Sequence, residues 1–209
     1  DAGLASRYGS MEDAVRIRSR GTGLHLAFPE LDSATQAAVL RLDPIADREE
    51  YSALIGALDE WKPTVLTELA ASGGEDGRRL VARAQNLGVL EWDLWSRGAE
   101  GSILSEVTDP SVRCLVVDLG SLGTRAEQAL AAEAVLARLW EGRADRAPVL
   151  IVIDEAHNVC PADPEDPLTA LATEYAVRIA GEGRKFGLYL LVSTQRPQKV
   201  HENVLSQCD

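Results

Sequence analysis

The carboxyl-terminal half of the chain alternates short apolar runs with longer helical patterns, and this alternation restricts the fold more than any other feature. The apolar runs cover residues 113–120, 149–153 and 187–194, and the helical patterns between them cover 124–142 and 166–183. Strands that are apolar along nearly their whole length are typical of parallel sheets buried on both faces. The sequence therefore predicts an α/β fold in which helices cover both faces of a parallel sheet.

The amino-terminal half carries weaker signals. Apolar and polar residues alternate over 14–19 and 23–28, which predicts a hairpin through the Arg-Gly-Thr-Gly segment between them. We expect three parts: a strand pair with helices over 1–61, a helical insertion and linker over 62–111, and the core strands over 112–209.

Further helices are expected outside the alternating region. Asp32 or Ser33 is placed to cap the first of them, and a Ser-Gly-Gly-Glu-Asp-Gly segment is expected to interrupt the third. In chain order, these helices are predicted over 34–41, 47–61, parts of 62–99 and 198–207.

Composition excludes several classes of protein. The chain has 209 residues, of which 45% are hydrophobic and 26% are charged, and this balance is typical of a folded domain. No apolar run is long enough to span a bilayer, and the first residues do not form a signal peptide. The three cysteines, Cys114, Cys160 and Cys208, form no Cys-x-x-Cys pair, which favours a reducing cytoplasm. The spacing of His157 and Cys160 alone is a weak indication of zinc.

The net charge of −12 argues against a surface broadly adapted to nucleic acid. One stretch, residues 175–200, is locally basic at about +4 because five basic residues face one acid, Glu182. It is either a solvated helix end with its loop or a patch that contacts phosphate. The five basic residues are Arg178, Arg184, Lys185, Arg196 and Lys199.

Polar residues follow each of the three predicted strands. They are Asp118, then the pair Asp154 and Glu155, then the segment 193–195 (Ser-Thr-Gln). Because ligands of parallel sheets bind at the carboxyl ends of the strands, the acidic pair lies where this architecture places chemistry. The alternative is a helix start, in which Asp154 caps the helix and Glu155 interacts with its dipole.

An apolar strand that ends in Asp-Glu fits a Walker B site. In such a site the first carboxylate, here Asp154, holds Mg²⁺ through water, because this ion keeps much of its hydration shell. The second, here Glu155, orients or deprotonates the water that attacks the γ-phosphate. Gln195 at the neighbouring strand end is placed to sense that phosphate.

Taken together, these motifs resemble one family. The order of strand-Asp-Glu-Ala-His, Gly-Arg-Lys-Phe-Gly and strand-Ser-Thr-Gln-Arg-Pro is similar to the HerA-type ATPases of the HerA–FtsK group of P-loop motor proteins. The resemblance covers roughly residues 112–209. Superfamily-two helicases also carry a DEAH string, but their next motif is usually Ser-Ala-Thr, and the sequence here fits HerA better. The resemblance implies a partial RecA-like P-loop NTPase core.

The family's catalytic roles transfer to matching positions. The resemblance implies that Asp154 is the metal-binding Walker B aspartate, Glu155 the catalytic glutamate and Gln195 the strand-end sensor. For His157, which completes the DEAH string, a structural role is favoured.

The family also implies an arginine supplied by a neighbouring subunit of a hexamer. Arg184 in the Gly-Glu-Gly-Arg-Lys-Phe-Gly segment is the best matching position, with Arg178 and Lys185 as further candidates.

One part of the family pattern is missing. No G-x-x-x-x-G-K-[ST] motif occurs in the chain, so the phosphates of ATP lack their usual cradle here. We expect this loop to precede Asp1 in the complete protein, and this segment alone to hydrolyse ATP poorly. The predicted function is part of a cytoplasmic, hexameric motor that uses ATP and Mg²⁺ to move double-stranded DNA, with a possible nuclease partner. A secretion or conjugation motor and a catalytically silent assembly module are the alternatives.

Overall fold

A computed structural model describes residues 15–60, 74–96 and 101–207 of the chain. Short 3₁₀ turns join several of its regular elements. In chain order these elements are β1 (Val15–Arg18), α1 (Ser33–Val39), α2 (Arg48–Glu60), α3 (Gly74–Asn86), α4 (Leu104–Val107), β2 (Cys114–Val117), α5 (Arg125–Glu141), β3 (Val149–Ile153), α6 (Pro167–Glu182), β4 (Leu188–Val192) and α7 (Glu202–Leu205).

The strands form two separate parallel pairs, not the single sheet of three strands that the alternating pattern predicts. Strand β1 pairs with β2, and β3 pairs with β4. In the second pair Val149 lies opposite Leu188 and Ile153 lies opposite Val192, so the two strands start and end together. The α/β class and the parallel direction are therefore confirmed for the described residues.

The predicted hairpin between residues 14–19 and 23–28 is wrong. Strand β1 instead pairs in parallel with β2, which lies far along the chain. The Ser19 carbonyl accepts hydrogen bonds from the Thr22 and Leu24 amides, and the chain then turns into the core. Leu24 and Leu26 are fully buried there, and Leu26 bridges to Trp95 rather than to β1. Burial of these leucines against a distant segment outweighs the local hairpin signal.

The predicted helices are confirmed with different bounds. Asp32 caps α1, because its carboxylate accepts a hydrogen bond from the Thr35 amide at 2.7 Å. The Ser-Gly-Gly-Glu-Asp-Gly segment is expected to interrupt a helix, but α3 begins inside it at Gly74 and includes its last four residues. Residues 61–73 lie outside the described part of the chain. The last helix, α7, is only four residues long because a 3₁₀ turn occupies Pro197–Lys199.

Helices α5 and α6 pack against each other and cover one face of the β3–β4 pair. Ile151, Ile153 and Leu188 point to this face and are buried in a cluster with Leu136 of α5 and Ile179 of α6. On the opposite face, four large apolar side chains are between 49% and 64% exposed. The prediction that helices cover both faces is thus confirmed for one face only among the described residues. The exposed side chains are Leu150, Val152, Tyr189 and Leu191.

Local sequence fixes where α5 and α6 begin. Thr124 and Glu127 form a capping box at the start of α5, with the Glu127 amide donating to Thr124 Oγ1 at 3.1 Å and the Thr124 amide donating to Glu127 Oε2 at 2.8 Å. Asp166 caps α6 by accepting from the Thr169 amide, and Pro167 occupies the first turn. These caps fix the residues at which the two helices that pack on the sheet begin.

Glu133 of α5 is a fully buried acid at the junction of α1, α5 and α6. Its Oε1 atom accepts a hydrogen bond from Thr35 Oγ1 at 2.8 Å, while its Oε2 atom has no hydrogen-bond partner. Burial raises the pKa of Glu133 to about 8; the Thr35 hydrogen bond opposes the rise, and the charges of Asp32 and Glu141 add to it. The folded chain therefore favours a protonated Glu133.

This shift predicts a pH-dependent stability with a definite sign. Because the folded pKa lies above the ordinary 4.5, the chain loses stability as the pH rises from about 4.5 through about 8. A shift of this size is worth at most about 5 kcal/mol. We expect Glu133→Gln to raise the free energy of unfolding at pH 9 and to change it little at pH 5, as measured by urea denaturation.

The matched control is Glu182→Gln, because this exposed acid ends the neighbouring helix α6 and is not among the charges that raise the pKa of Glu133. It should leave the difference between pH 5 and pH 9 close to that of the natural chain. Equal pH dependence in the natural chain and in Glu133→Gln would contradict the assignment of Glu133.

Candidate functional site

The carboxyl ends of β3 and β4 are tied together by hydrogen bonds. The Ser193 amide donates to the Ile153 carbonyl at 2.9 Å, and the Ala156 amide donates to the Ser193 carbonyl at the same distance. Further on, the His201 amide donates to the Cys160 carbonyl at 2.9 Å. The segments that follow the two strands therefore run side by side, which places the acidic pair next to residues 193–195.

Asp154 and Glu155 stand at a sharp turn that ends β3. Glu155 has a left-handed backbone with φ 48° and ψ 49°, which is uncommon for a residue with a side chain. Its amide donates to Asp154 Oδ1 at 3.0 Å. Asp154 is exposed and the Glu155 side chain is 45% exposed. Strained backbone of this kind costs about 1–3 kcal/mol and is concentrated at functional sites.

His157 connects the acidic pair to the end of β4. Its Nδ1 atom forms a hydrogen bond with Thr194 Oγ1 at 3.1 Å and lies 3.3 Å from Glu155 Oε2. Glu155 Oε2 is shielded from solvent and has no hydrogen-bond partner, so the second contact is close without being a hydrogen bond. Thr194 Oγ1 also accepts from the Arg196 amide at 3.0 Å.

Gln195 is the next residue after Thr194, and its side chain is exposed. It lies on the same strand end as Thr194 and therefore beside Asp154 and Glu155, as the parallel-strand argument predicts. Asp118, the third predicted strand-end residue, follows β2 and so belongs to the other strand pair.

Arg184 lies at the opposite end of the sheet. It sits in the 3₁₀ turn Gly183–Phe186, which precedes β4, whereas Glu155 follows the carboxyl end of the neighbouring β3. The five residues of β4 separate these two ends by roughly 15 Å at the usual rise of a strand. The structure thus brings Asp154, Glu155 and Gln195 together and leaves Arg184 away from them.

The turn that carries Arg184 is closely packed. A Cβ atom at Gly183 would lie 2.9 Å from the Leu188 carbonyl oxygen, and Gly187 has a left-handed backbone with φ 88°. The Arg184 side chain is exposed, and it forms no hydrogen bond or ion pair with any of the described residues. The guanidinium of Arg184 therefore has no partner among the described residues, and the turn that carries it is closely packed.

The other basic residues of the 175–200 stretch do not form one patch. Arg178 pairs with Glu174 one helical turn away and lies over the Tyr175 ring at 5.5 Å. Lys185 lies beside Arg184, at the amino ends of the strands, whereas Arg196 and Lys199 follow β4 at the carboxyl ends. The stretch is continuous in sequence but divided in space.

The sequence pattern did not predict the contact of His157 with Thr194. The DEAH string signals the histidine, and Thr194 is part of the Ser-Thr-Gln strand end, but their contact joins residues that are 37 positions apart.

The Cys160 thiol donates to the Ala156 carbonyl at 3.3 Å. In the ranges 15–60, 74–96 and 101–207, no group of three or more His, Cys, Asp or Glu side chains can hold a metal. Within the same ranges no helix is long and apolar enough to cross a membrane.

Several curated HerA proteins are similar to part of the chain. The chain is 48% identical over 60 residues to the DNA double-strand break repair helicase HerA of Sulfurisphaera tokodaii, which is 29% of this chain and 11% of that protein. It is 38% identical over 101 residues to HerA of Sulfolobus acidocaldarius, which is 44% of this chain and 19% of that protein. It is 45% identical over 60 residues to HerA of Pyrococcus furiosus, which is 29% of this chain and 10% of that protein.

No family model matches the chain. The matched stretches span less than a fifth of the length of these three curated relatives. Within that span, the identities agree with the resemblance inferred from the strand-end motifs. The chain is therefore similar, over part of its length, to the HerA proteins.

Proposed function

We propose that the chain is the part of an ATP-hydrolysing motor that carries the catalytic strand ends. The observation that supports this most strongly is the junction of β3 and β4. Two carboxylates follow β3, Gln195 follows β4, and backbone hydrogen bonds hold the two ends side by side. A site for an attacking water and a site for a phosphate sensor thereby adjoin each other.

Asp154 fits a role in holding Mg²⁺. One of its carboxylate oxygens accepts the Glu155 amide, which fixes the orientation of the group, and the residue is exposed to solvent. Mg²⁺ commonly takes one or two carboxylates together with water and substrate phosphates. When bound, Mg-ATP supplies the phosphoryl group and the charge neutralisation for its transfer.

Glu155 and Gln195 would act on the reacting groups. Glu155 orients the attacking water and takes its proton, and the amide of Gln195 donates to a phosphate oxygen. The G-x-x-x-x-G-K-[ST] loop that normally cradles the phosphates is absent from the sequence. We propose that another segment of the whole protein supplies it.

Double-stranded DNA is the proposed substrate, because the curated relatives are DNA double-strand break repair helicases. The net charge of −12 is compatible with this, since a hexameric ring needs basic residues only where it contacts DNA. The exposed residues Arg196 and Lys199, beside the strand ends, are the proposed DNA-facing positions. A secretion or conjugation motor has no comparable support from the relatives.

The test is the ATPase activity of the whole protein with and without double-stranded DNA. We expect Mg²⁺-dependent hydrolysis that DNA stimulates. A whole protein that binds DNA but neither binds nor hydrolyses ATP would instead support the silent assembly module, for which the missing phosphate loop is the specific observation.

Asp154→Ala should change the metal dependence of this activity. Removing the carboxylate weakens the hold on Mg²⁺, so we expect the Mg²⁺ concentration for half-maximal hydrolysis to rise about tenfold or more. Asp163→Ala, an exposed acid in the following loop, is the matched control. If both variants keep the metal dependence of the natural protein, Asp154 is not the metal residue.

A further inference from the structure

The contact between His157 and the two strand ends suggests more than a packing role. One ring nitrogen, Nδ1, lies 3.1 Å from Thr194 Oγ1 and 3.3 Å from Glu155 Oε2. The His157 side chain is only 14% exposed, so its position is set by its neighbours. A single N–H on Nδ1 can serve only one of these two oxygens fully.

We propose that His157 is a positioning residue that couples the end of β4 to the orientation of Glu155. This inference rests on the proposed function, in which Glu155 is the general base. In the described arrangement Nδ1 is bonded to Thr194, and Glu155 Oε2 is left without a partner. In the tautomer that carries the proton on Nδ1, a small shift of the β4 end would move this N–H from Thr194 to Glu155.

The shielding of Glu155 Oε2 supports such an exchange. A carboxylate oxygen that is enclosed without a hydrogen bond is unfavourable, and His157 Nδ1 lies 3.3 Å from this oxygen. The left-handed backbone of Glu155 and its amide bond to Asp154 Oδ1 restrict the residue from the other side. The Glu155 carboxylate therefore lies beside Nδ1 of His157, which is hydrogen-bonded to Thr194 in the described arrangement.

Thr194 is in turn linked to the sensor segment. Its Oγ1 accepts the Arg196 amide at 3.0 Å, and Gln195 lies between the two residues in the chain. Any movement of Gln195 on contacting a phosphate would displace Thr194. His157 would then release Thr194 and bond to Glu155, so that the base is oriented only when the sensor segment has moved.

The experiment compares variants of the whole protein at saturating ATP and DNA. Thr194→Val removes the hydroxyl but keeps the shape, and His157→Phe removes Nδ1 but keeps a ring. We expect His157→Phe to lower kcat by roughly tenfold or more, as loss of alignment of a general base does. Thr194→Val frees Nδ1 to bond to Glu155 without a shift of β4, so we expect its kcat to be at least that of the natural protein. The KM for ATP, the affinity for ATP and the melting temperature should remain near those of the natural protein.

Two further variants separate positioning from packing. Thr194→Ser keeps the hydroxyl and should show the kcat of the natural protein. The double variant His157→Phe with Thr194→Val should lose no more than His157→Phe alone, because both changes act through one contact. Thr173→Val, which removes a buried hydroxyl of α6 that donates to the Thr169 carbonyl, is the matched control and should leave kcat unchanged.

The outcome also separates this inference from the proposed function. If Glu155→Gln abolishes hydrolysis while His157→Phe retains full kcat, the coupling is wrong and the catalytic role of Glu155 stands. If Thr194→Val lowers kcat as His157→Phe does, if the double variant loses more than His157→Phe alone, or if the affinity for ATP falls in parallel with kcat, the positioning role is refuted. If Glu155→Gln itself hydrolyses ATP normally, the proposed function fails and this inference with it.

Discussion

Arg184→Ala is expected to lower the ATP turnover of the whole protein by about 10³-fold or more, while folding, assembly and ATP binding are kept. The reason is the position of the residue. Arg184 lies at the amino end of β4, roughly 15 Å from the carboxyl ends that carry Glu155. It cannot reach the strand ends of its own chain, so a catalytic role requires that it act on a neighbouring chain in the proposed assembly.

Its surroundings suit that role. An arginine that stabilises charge on a neighbour's phosphate needs a free guanidinium on a rigid base. Gly183 packs against the Leu188 carbonyl, and Arg184 is exposed without an ion pair to the described residues. Arg178, the other arginine considered, is engaged by Glu174 and Tyr175. Arg178→Ala should therefore cause a much smaller loss.

Mixed assemblies test the direction of action. When Arg184→Ala subunits are mixed with Glu155→Gln subunits, some interfaces pair an intact Glu155 with an intact Arg184 from the neighbour. We expect part of the activity to return at intermediate mixing ratios. No recovery at any ratio, in assemblies shown to be mixed by mass spectrometry, would rule out a role across the interface.

Glu155→Gln is expected to reduce steady-state hydrolysis by about 10²-fold or more without weakening ATP binding. The amide keeps the size of the side chain but cannot accept the proton of the attacking water. The left-handed backbone at this position and the Asp154 Oδ1 bond to its amide are main-chain features that the substitution preserves. The loss should therefore appear in kcat alone.

Two controls accompany this variant. Glu165→Gln changes an acid in the loop before α6 and should behave as the natural protein does. Asp154→Ala should shift the Mg²⁺ requirement, whereas Glu155→Gln should not. A Glu155→Gln protein with full hydrolysis would remove the basis for assigning this strand end.

Much of the site could be predicted from the sequence because it depends on rules of parallel sheets. The run Val149–Ile153 is apolar throughout and ends at an acidic pair, so its bounds and direction followed directly. The nearness of Gln195 to Glu155 followed from the rule that parallel strands end at one edge. Neither inference required knowledge of side-chain packing.

Other features could not be predicted because they depend on distant partners. The 23–28 segment reads as a strand locally, yet Leu26 meets Trp95, which lies far along the chain. The burial of Glu133 arises from the meeting of α1, α5 and α6, and its sequence position on a helix gives no sign of it. The contact of His157 with Thr194 likewise arises only when β3 and β4 are paired.

The sequence pattern did not predict that one apolar face of the β3–β4 pair is exposed among the described residues. Continuous apolar strands predict coverage on both faces, but Leu150, Val152 and Tyr189 remain exposed among the described residues. The sequence of a strand specifies that both faces are apolar. It does not specify which segment covers each of them.

The most direct test of the account is a single-turnover measurement. Radiolabelled ATP is first bound to an excess of the whole protein without Mg²⁺, and the conversion of bound ATP to ADP is followed after Mg²⁺ and double-stranded DNA are added. We predict rapid conversion by the natural protein, and retention of bound, intact ATP by Glu155→Gln. Conversion at the same rate in both proteins, or no binding of ATP by either, would contradict the assignment of the β3–β4 strand ends as the hydrolysis site.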